Sequence, residues 1–329
     1  MAVTKLGVGL YGMNGHQIHG ALVAHPRARC VATAGLDPDR LPEPLRSAPD
    51  IRHYDSLEEL LQDSRVELVS LCSPRRRDQA QEAIRCLEAG RHVYAEKPCA
   101  MTEDALDRIM ATARRTGQVF HEMAGTAFEQ PYLTMREIVR AGTLGTVVQV
   151  LAQKSYPYHD RRPQDEDIDG GLVLQVGVHA LRFIEHVAGV KVQEIFAVQT
   201  RLGNPGSGNL RMATSMMMRL ANGGVASVLC NYLNPPAFGR WGNETLRIFG
   251  TEGFIEAVDG GTRTRLVLRD EDRGALDIQG PSRSYFDMVV ASILDEAPMP
   301  MTLEDELHPT RMVIRAREDA MAREAGLQS

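Results

Sequence analysis

Short apolar runs alternate with segments of helical periodicity through the first 123 residues. Gly90 and Gly117 each follow a helical segment, as glycine often does at helix C-termini. The predicted elements, in chain order, are strand 5–11, helix 17–24, strand 29–36, strand 66–72, helix 78–89, strand 91–95, a helix from Thr102 to Gly117, and strand 119–123. This alternation predicts a doubly wound parallel sheet, an α/β domain with helices on both faces.

After residue 123 the pattern changes from alternation to hairpins. Helices are predicted at 131–141, at 179–187 and from about 303 to 324, the last beginning at a pair that resembles a capping box, Thr302 and Asp305. Two pairs of apolar runs flank glycine-containing turns, as hairpin strands do: 212–220 with 225–230, and 244–249 with 254–258. The fold class expected is an α/β domain, residues 1–123, followed by an α+β domain, residues 124–329, with a mostly antiparallel sheet.

Composition narrows the class of protein further. With 329 residues, 43% hydrophobic and 24% charged, the chain can form more core than one compact domain usually holds, so two domains are expected. The net charge of -6 gives no electrostatic reason to expect a nucleic acid or an anionic membrane as partner, and a small-molecule substrate fits better. No apolar run is long enough to span a membrane, and the first residues lack the apolar region of a signal peptide, so we expect a cytoplasmic location.

Potential metal ligands and thiols form no recognisable pattern. The five cysteines are scattered without a CxxC pair, so reduced structural thiols are expected rather than a disulfide framework or a zinc site. His159 and Asp160 lack a third ligand at a defined spacing, and no metal site is predicted. The methionine triplet 216–218 is interpreted as buried strand packing.

A glycine-containing turn follows the first predicted strand. In this context Gly12 would let the backbone approach a pyrophosphate, and Gly15 would let the next helix pack close to the strand, with its N-terminal N–H groups facing the phosphates. Met13 and Asn14 complete this candidate dinucleotide-binding turn. A match to G-x-G-x-x-G that begins at Gly7 would leave too little strand ahead of it, so the later register is preferred.

Asp37 lies at the end of the second predicted strand, 22 residues after Gly15. An acidic side chain there accepts hydrogen bonds from the adenosine ribose and repels a 2′-phosphate, which favours NAD over NADP. Arg40 lies nearby and could serve a 2′-phosphate, so NADP stays an alternative. Asp37 can also be interpreted as an ordinary turn residue before Pro38.

Residues 89–98, Ala-Gly-Arg-His-Val-Tyr-Ala-Glu-Lys-Pro, resemble the signature of the glucose-fructose oxidoreductase, inositol dehydrogenase and rhizopine catabolism family, written Gfo/Idh/MocA. The resemblance extends over essentially the whole chain. Further features agree in order: the opening strand and turn, Ser73 with Pro74, residues 141–145, Gly170 and Gly171 followed by Gly177–His179, and residues 249–253.

The resemblance implies a Rossmann domain that holds a nicotinamide dinucleotide and a second sheet domain that completes the active site. Lys97 would bind substrate and relay a proton, since an ammonium group beside a carbinol oxygen stabilises a developing alkoxide. Pro98 would position the nicotinamide side of the pocket, and Glu96 would orient the turn. His179 matches the family's general acid/base, although it can also be interpreted as a buried structural histidine. The cofactor-binding candidates are Gly12, Met13, Asn14, Gly15, Asp37, Ser73, Pro74, Glu96, Lys97 and Pro98.

The chain departs from the family pattern at several positions. Gln175 stands where an aspartate is usual; its amide can bind a substrate hydroxyl but cannot stabilise a cation. The catalytic candidates are therefore Lys97, His179 and Gln175. Arg182 also replaces an aspartate, and it either binds a substrate carboxylate or faces solvent. The arginine run 75–77 is interpreted as a solvated helix start, with Arg75 kept as a weak cofactor candidate.

Tyr156, Tyr158 and His159 fall where substrate-specificity loops lie in this family, and their chemistry suits a polyhydroxylated ligand, although a surface loop explains them equally well. The resemblance also implies a homo-oligomer, dimer or tetramer, formed through an open sheet face. The function expected is NAD(P)-dependent oxidation of a secondary alcohol, CH–OH, of a sugar, cyclitol or related compound by direct hydride transfer. The alternatives are a redox-assisted lyase or hydrolase that retains NAD, and a non-catalytic sensor.

Overall fold

Six parallel strands form the first sheet of the computed structural model, which describes residues 5–326. Their order in the sheet is β3-β2-β1-β4-β5-β6, and every neighbouring pair is parallel. The central strands β1 and β4 are buried almost throughout, as expected where helices cover both faces. The predicted doubly wound sheet is confirmed. The strands are β1 Leu6–Tyr11, β2 Ala28–Ala34, β3 Arg52–Tyr54, β4 Leu68–Leu71, β5 His92–Ala95 and β6 Phe120–Glu122.

Five helices accompany these strands along the chain. The clearest is α5, in which the Thr102 hydroxyl accepts a hydrogen bond from the N–H of Ala105 at 3.3 Å, and Gly117 ends the helix at φ +73°. The predicted helix 17–24 is reduced to four residues, because the Gln17 amide binds the carbonyl of Gly12 and the hydroxyl of Ser70 and so keeps Gln17 in the turn. The helices are α1 His19–Leu22, α2 Glu43–Arg46, α3 Leu57–Gln62, α4 Gln79–Glu88 and α5 Glu103–Thr116.

Eight strands form the second sheet, in the order β14-β13-β12-β11-β7-β10-β9-β8. Neighbouring strands are antiparallel except β7 and β10, which are parallel. The two predicted hairpins are present as β9–β10 and β11–β12, so the mostly antiparallel second sheet is confirmed. The strands are β7 Val147–Ser155, β8 Val192–Thr200, β9 Ala213–Leu220, β10 Val225–Asn231, β11 Thr245–Gly250, β12 Gly253–Val258, β13 Arg263–Leu268 and β14 Glu271–Gly274.

Side chains alternate across the second sheet with a period of two. Met216 and Met218 are buried, whereas Met217 between them is 65% exposed. The interpretation of the whole triplet as buried packing is therefore wrong for Met217, because a strand cannot turn three consecutive side chains to the same face. The remaining helices are α6 Tyr132–Arg140, α7 Glu166–Asp169, α8 Gly171–Gln175, α9 Gly177–Arg182 with a π-helical turn Phe183–Val187 after it, α10 Tyr285–Ile293 and α11 Leu303–Gly326.

The chain divides into two compact units. The first comprises the described residues up to 123 together with 167–169 and 285–306, and the second comprises 124–166, 170–284 and the described residues from 307 onward. The segment 285–306 joins the first unit through buried polar contacts: Glu306 pairs with His121 at 2.6 Å and accepts hydrogen bonds from the hydroxyl of Tyr285 and the N–H of Glu122, both at 2.6 Å. Within residues 5–326, no helix combines the length and the apolar character needed to cross a membrane.

Candidate functional site

The glycine-containing turn begins where β1 ends. Gly12 and Gly15 both have positive φ, +67° and +121°, whereas Gly7 lies inside the strand. A Cβ on Gly12 would overlap the carbonyl oxygen of Cys72, just after β4. Only glycine therefore fits where the turn passes this close to the Cys72 backbone. The turn therefore sits where the carboxyl ends of β1 and β4 meet, which is the usual ligand-binding edge of such a sheet.

Glu96 lies against this turn with only 1% of its surface exposed. Its carboxylate accepts the backbone N–H of His16, pairs with the His16 ring at 2.9 Å and accepts the N–H of Lys97 at 2.9 Å. Burial alone would raise the pKa of the Glu96 carboxyl. The hydrogen bond and charge of His16, with the nearby charges of Lys97 and Arg76, outweigh burial and hold that pKa well below its usual range. Glu96 is therefore an anion that lies against the glycine turn and binds its His16.

The helix N-terminus expected beside the turn is absent. Helix α1 begins only at His19 and has four residues, and the N–H of His16 is taken by Glu96. A carbon added to Gly15 would overlap the Glu96 carboxylate, so Gly15 makes room for that side chain rather than for a helix packed on a strand. Any phosphate contact at this turn has to come from the turn's own backbone and from nearby cations.

Arg76 is a residue of this site that the sequence analysis did not single out. It is 2% exposed, its Nη2 donates to the carbonyl of Asn14 at 2.6 Å, and it hydrogen-bonds Gln79. Arg75 and Arg77, its neighbours, are exposed. The solvated-face interpretation of the run thus holds for two arginines and is wrong for Arg76. Burial of a guanidinium behind the turn places positive charge where phosphates would bind.

A cleft of about 380 Å³ opens beside the turn. The Asp37 side chain lies at its wall and also accepts the N–H of Asp39 at 3.0 Å, so the ribose-binding and turn-residue interpretations of Asp37 are compatible. Arg40 lines the same cleft, and the acidic and basic candidates for cofactor choice are thus brought together. The lining residues are Met13, Asn14, Gly35, Leu36, Asp37, Arg40 and Pro74. This set, with Arg76 behind the turn, fits a dinucleotide.

Lys97 and Pro98 follow β5 in a buried loop joined by a cis peptide bond. Lys97 is 3% exposed, and its Nζ lies 4.0 Å from Glu96 Oε1. The Gln79 amide donates to the carbonyls of Glu96, at 2.5 Å, and Pro98, at 3.1 Å. Gln79 also accepts the N–H of Ser73, at 3.3 Å, so the Ser73 segment and the lysine loop share one anchor.

In the second unit, His179 and Gln175 lie on the adjoining helices α9 and α8. Nδ1 of His179 lies 3.3 Å from the hydroxyl oxygen of Thr126, within hydrogen-bonding distance. The side-chain oxygen of Gln175 accepts hydrogen bonds from the hydroxyl of Tyr232, at 2.9 Å, and from Arg162, at 3.4 Å. The oxygen of Gln175 therefore already has two hydrogen-bond donors.

Arg182 is completely buried in the second unit, at 0% exposure. The expectation that it could face solvent is wrong, because the side chain has no exposed surface. The other alternative, that Arg182 binds a substrate carboxylate, stays a prediction. A second cation, Arg162, lies beside the catalytic candidate Gln175, and its guanidinium sits 3.7 Å from the centre of the Tyr232 ring.

The loop candidates lie partly exposed after β7. Tyr156 and His159 each pack against Trp241, with ring centroids 5.7 Å apart in both pairs, and the Tyr158 hydroxyl accepts a hydrogen bond from Gln164 at 3.4 Å. Tyr156 also neighbours Lys154, whose Nζ lies 5.6 Å from the centre of its ring. Burial raises the pKa of the Tyr156 hydroxyl, with the Lys154 charge acting in the opposite direction.

Lys154 is a second, nearly buried lysine that the sequence analysis missed. Its Nζ pairs with Glu244 Oε1 at 2.5 Å, and both side chains are nearly buried. Burial by itself lowers the pKa of Lys154, but the charges of Tyr156 and Glu244 more than compensate and raise it. Across residues 5–326 there is no group of three histidine, cysteine or acidic side chains arranged to hold a metal ion.

Comparison with known proteins agrees with this geometry. Residues 6–123 match the model of an oxidoreductase family with an NAD-binding Rossmann fold, and residues 132–256 match the GFO/IDH/MocA C-terminal domain. The chain is 25% identical over 254 residues to myo-inositol 2-dehydrogenase of Thermotoga maritima, covering 74% of this chain and 72% of that protein. It is 27% identical over 246 residues to trans-1,2-dihydrobenzene-1,2-diol dehydrogenase of Bos taurus, covering 74% and 70%.

The fold is also that of solved structures. One from Thermotoga maritima superposes with a TM-score of 0.86 at 24% identity, covering 97% of this chain and 98% of that chain. The two family models together match well over half of the sequence, one in each predicted half. The chain therefore belongs to the Gfo/Idh/MocA family of NAD-binding oxidoreductases.

Proposed function

We propose that this protein oxidises a secondary alcohol on a ring-shaped hydroxy compound, such as a cyclitol or sugar, by reversible hydride transfer to NAD. The observation that carries the proposal is the buried Lys97, held beside the dinucleotide-binding turn by the anionic Glu96. Burying an ammonium group costs free energy, so a lysine at 3% exposure whose Nζ lies 4.0 Å from a carboxylate, beside the dinucleotide-binding turn, is a strong candidate for a role in the chemistry.

The cofactor would be held by residues of the first unit. Asp37 would accept hydrogen bonds from the adenosine ribose, and the turn at Met13 and Asn14, with Arg76 behind it, would receive the phosphates. When bound, the dinucleotide supplies the hydride acceptor for oxidation and the donor for reduction. The acidic Asp37 supports NAD over NADP, since a 2′-phosphate beside it would be repelled.

Lys97 would donate a hydrogen bond to the reacting oxygen of the substrate. As the carbinol carbon loses hydride, negative charge grows on that oxygen, and a desolvated ammonium stabilises it more strongly than water would. Glu96, whose Oε1 lies 4.0 Å from Nζ, places a negative charge beside the lysine. The proposed catalytic role of Lys97 is therefore to stabilise the negative charge that develops on the substrate oxygen.

His179 would take the hydroxyl proton during oxidation and return it during reduction. Thr126 engages Nδ1, so Nε2 is the nitrogen that we assign to proton exchange. Gln175 would bind a neighbouring substrate hydroxyl through its amide nitrogen, since its oxygen accepts from Tyr232 and Arg162. Lacking a carboxylate at position 175, the site offers His179 less stabilisation as a cation than the family's usual arrangement.

The names of two relatives support a ring-shaped substrate. One is a myo-inositol dehydrogenase and the other a dehydrogenase of trans-1,2-dihydrobenzene-1,2-diol, and both names describe hydroxyl groups on a six-membered ring. We propose the same general class for this chain, a carbocyclic or sugar ring with adjacent hydroxyls.

The experiment is to mix the purified protein with NAD and a panel of ring alcohols and to follow the absorbance of reduced nicotinamide. We expect at least one ring alcohol to be oxidised, and Lys97→Ala to lower kcat by about 10²-fold or more with little change in NADH affinity. The matched control is Lys191→Ala, the same change at an exposed lysine. Full turnover by Lys97→Ala, or no oxidation of any ring alcohol, would contradict the proposal.

A further inference from the structure

Trp241 is the single tryptophan of the chain, and 55% of it is exposed. Its ring lies 5.7 Å from that of Tyr156 and 5.7 Å from that of His159, with interplanar angles of 31° and 32°. Three aromatic rings are thus gathered at one place on the second unit, and the largest of them keeps more than half of its surface accessible. Together we call these three residues the aromatic platform.

Polar contacts of Asn234, Lys154 and Glu244 hold the segments that carry the platform in place. Asn234, only 7% exposed, donates to the carbonyl of Trp241 at 3.1 Å and to the carbonyl of Ser155 at 2.9 Å. Under Tyr156 lies the buried pair of Lys154 and Glu244. These contacts fix the positions of Trp241 and Tyr156, so the platform is more ordered than a surface loop without buried polar contacts.

The platform is connected to the catalytic candidate Gln175 within the same unit. The N–H of Arg162 donates to the carbonyl of His159 at 2.9 Å, and the Arg162 guanidinium stacks on Tyr232. Tyr232 in turn donates to the oxygen of Gln175 at 2.9 Å. Arg162 also donates to the Gln175 oxygen directly, at 3.4 Å, so a single residue links the platform to the amide that we assign to a substrate hydroxyl.

We propose that Trp241, Tyr156 and His159 form a subsite that binds the C–H face of a ring-shaped, polyhydroxylated substrate. The inference rests on the proposed function and deepens it by assigning the residues that select rings. A six-membered ring presents a flat, preorganised group of C–H bonds that can lie on an aromatic face, while its hydroxyls point outward to polar partners. An open-chain polyol must first fix several rotatable bonds to offer the same face.

The single tryptophan gives a direct binding signal. With NADH present at saturation, so that no alcohol can be oxidised, the emission of Trp241 is recorded while myo-inositol or trans-1,2-cyclohexanediol is added. Sorbitol, the open-chain polyol with the carbon and hydroxyl number of inositol, is the matched control ligand. We expect a saturable change with at least one ring probe and a much weaker one with sorbitol. No change with either ring probe, or an equal change with sorbitol, would overturn the platform.

Kinetics of variants separate this inference from the proposed function. With whichever ring alcohol is oxidised, we expect Trp241→Ala to raise KM by about tenfold while kcat stays nearly unchanged, and Trp241→Phe to keep most of the affinity. Leu202→Ala, which trims another exposed apolar side chain, is the control and should leave KM unchanged. Oxidation with an unaltered KM in Trp241→Ala would refute the platform and leave the proposed function standing.

The opposite failure is also distinguishable. A ring probe that changes Trp241 emission while no ring alcohol reduces NAD would support the platform and contradict the proposed oxidation. If emission instead changes only with protein concentration, Trp241 packs against a second copy of the chain, and the platform is overturned.

Discussion

Single side chains decide much of what this molecule can do, and the amide of Gln175 is an example. An aspartate at this position would add negative charge beside the catalytic groups, whereas the amide adds none. The oxygen of Gln175 accepts hydrogen bonds from Tyr232 and Arg162, which fix the amide in place.

Asp63, away from the proposed site, contributes to stability through its hydrogen bonds to Arg65 and Tyr54. Its carboxylate accepts several hydrogen bonds from Arg65, the shortest at 2.6 Å, and one from Tyr54 at 3.2 Å. The hydrogen bonds from Arg65 lower the pKa of Asp63 from 3.8 to about 2, against the effect of burial. Because the folded pKa lies below the unfolded one, this contribution is present above about pH 4 and fades as the pH falls toward 2.

We therefore expect Asp63→Asn to lower the free energy of unfolding by about 1 to 2 kcal/mol at pH 7, with Arg65 partly exposed and its charge partly screened. Urea unfolding of both proteins at pH 7 and pH 3 measures this, and the difference should shrink at the lower pH. Asp50→Asn, at an exposed pair with Arg29, is the control and should change little. An equal difference at both pH values would contradict the assignment.

At the level of elements, the sequence predicts those with strong local signals and misses those set by distant contacts. Helix α5 has a threonine cap and a terminal glycine, and its bounds were predicted closely. Strand β7 was not predicted from the sequence, and it contains Lys154, whose nearly buried side chain pairs with the distant Glu244. Short or charged strands such as β3 and β14 carry too few apolar residues to be recognised.

The same limit applies to the candidate site. The residues that line the cofactor cleft include those predicted from the glycine turn and from Asp37. They could be predicted because such a motif depends mainly on local backbone geometry. Arg76 was missed because it looks like its exposed neighbours, and only the carbonyl of Asn14, far away in sequence, marks it as buried. Trp241 was missed because nothing near it in sequence reveals that Tyr156 and His159 pack against it.

Side chains of successive residues point to opposite faces of the second sheet, and on one of these faces many side chains are exposed to solvent. Exposed apolar side chains on β8, β9 and β10 form a continuous area, and oppositely charged pairs accompany it, including Arg247 with Glu256 at 2.6 Å on β11 and β12. Mixed charges around an apolar centre suit pairing of this face with a second copy of itself. The apolar members are Phe196, Val198, Met217, Val225 and Leu229.

We propose a homo-oligomer formed through this face and expect a solution mass above the 36.3 kDa of one chain. Met217→Glu places a charge near the centre of the area and should reduce the mass measured by light scattering toward that of one chain. Leu202→Glu, at an exposed residue outside these strands, should leave the mass unchanged. A monomeric wild-type protein, or a Met217→Glu variant of unaltered mass, would contradict this interface.

For the molecule as a whole, the two units carry different parts of the proposed chemistry. The first has the cleft with Asp37, the glycine turn and Lys97, and the second has His179, Gln175 and the aromatic platform. Everything proposed for the second unit depends on the first binding a nicotinamide dinucleotide. Cofactor binding is therefore the claim on which the account depends.

That claim is tested most directly by titrating the purified protein with NADH and with NADPH in a calorimeter, after checking that no nucleotide has been carried through purification. We predict that NADH binds at least about tenfold more tightly than NADPH, and that Asp37→Ala removes most of this preference while Asp39→Ala does not. Tighter binding of NADPH would show that Arg40 rather than Asp37 governs the choice. Failure of the folded, nucleotide-free protein to bind either dinucleotide would contradict the account at its foundation.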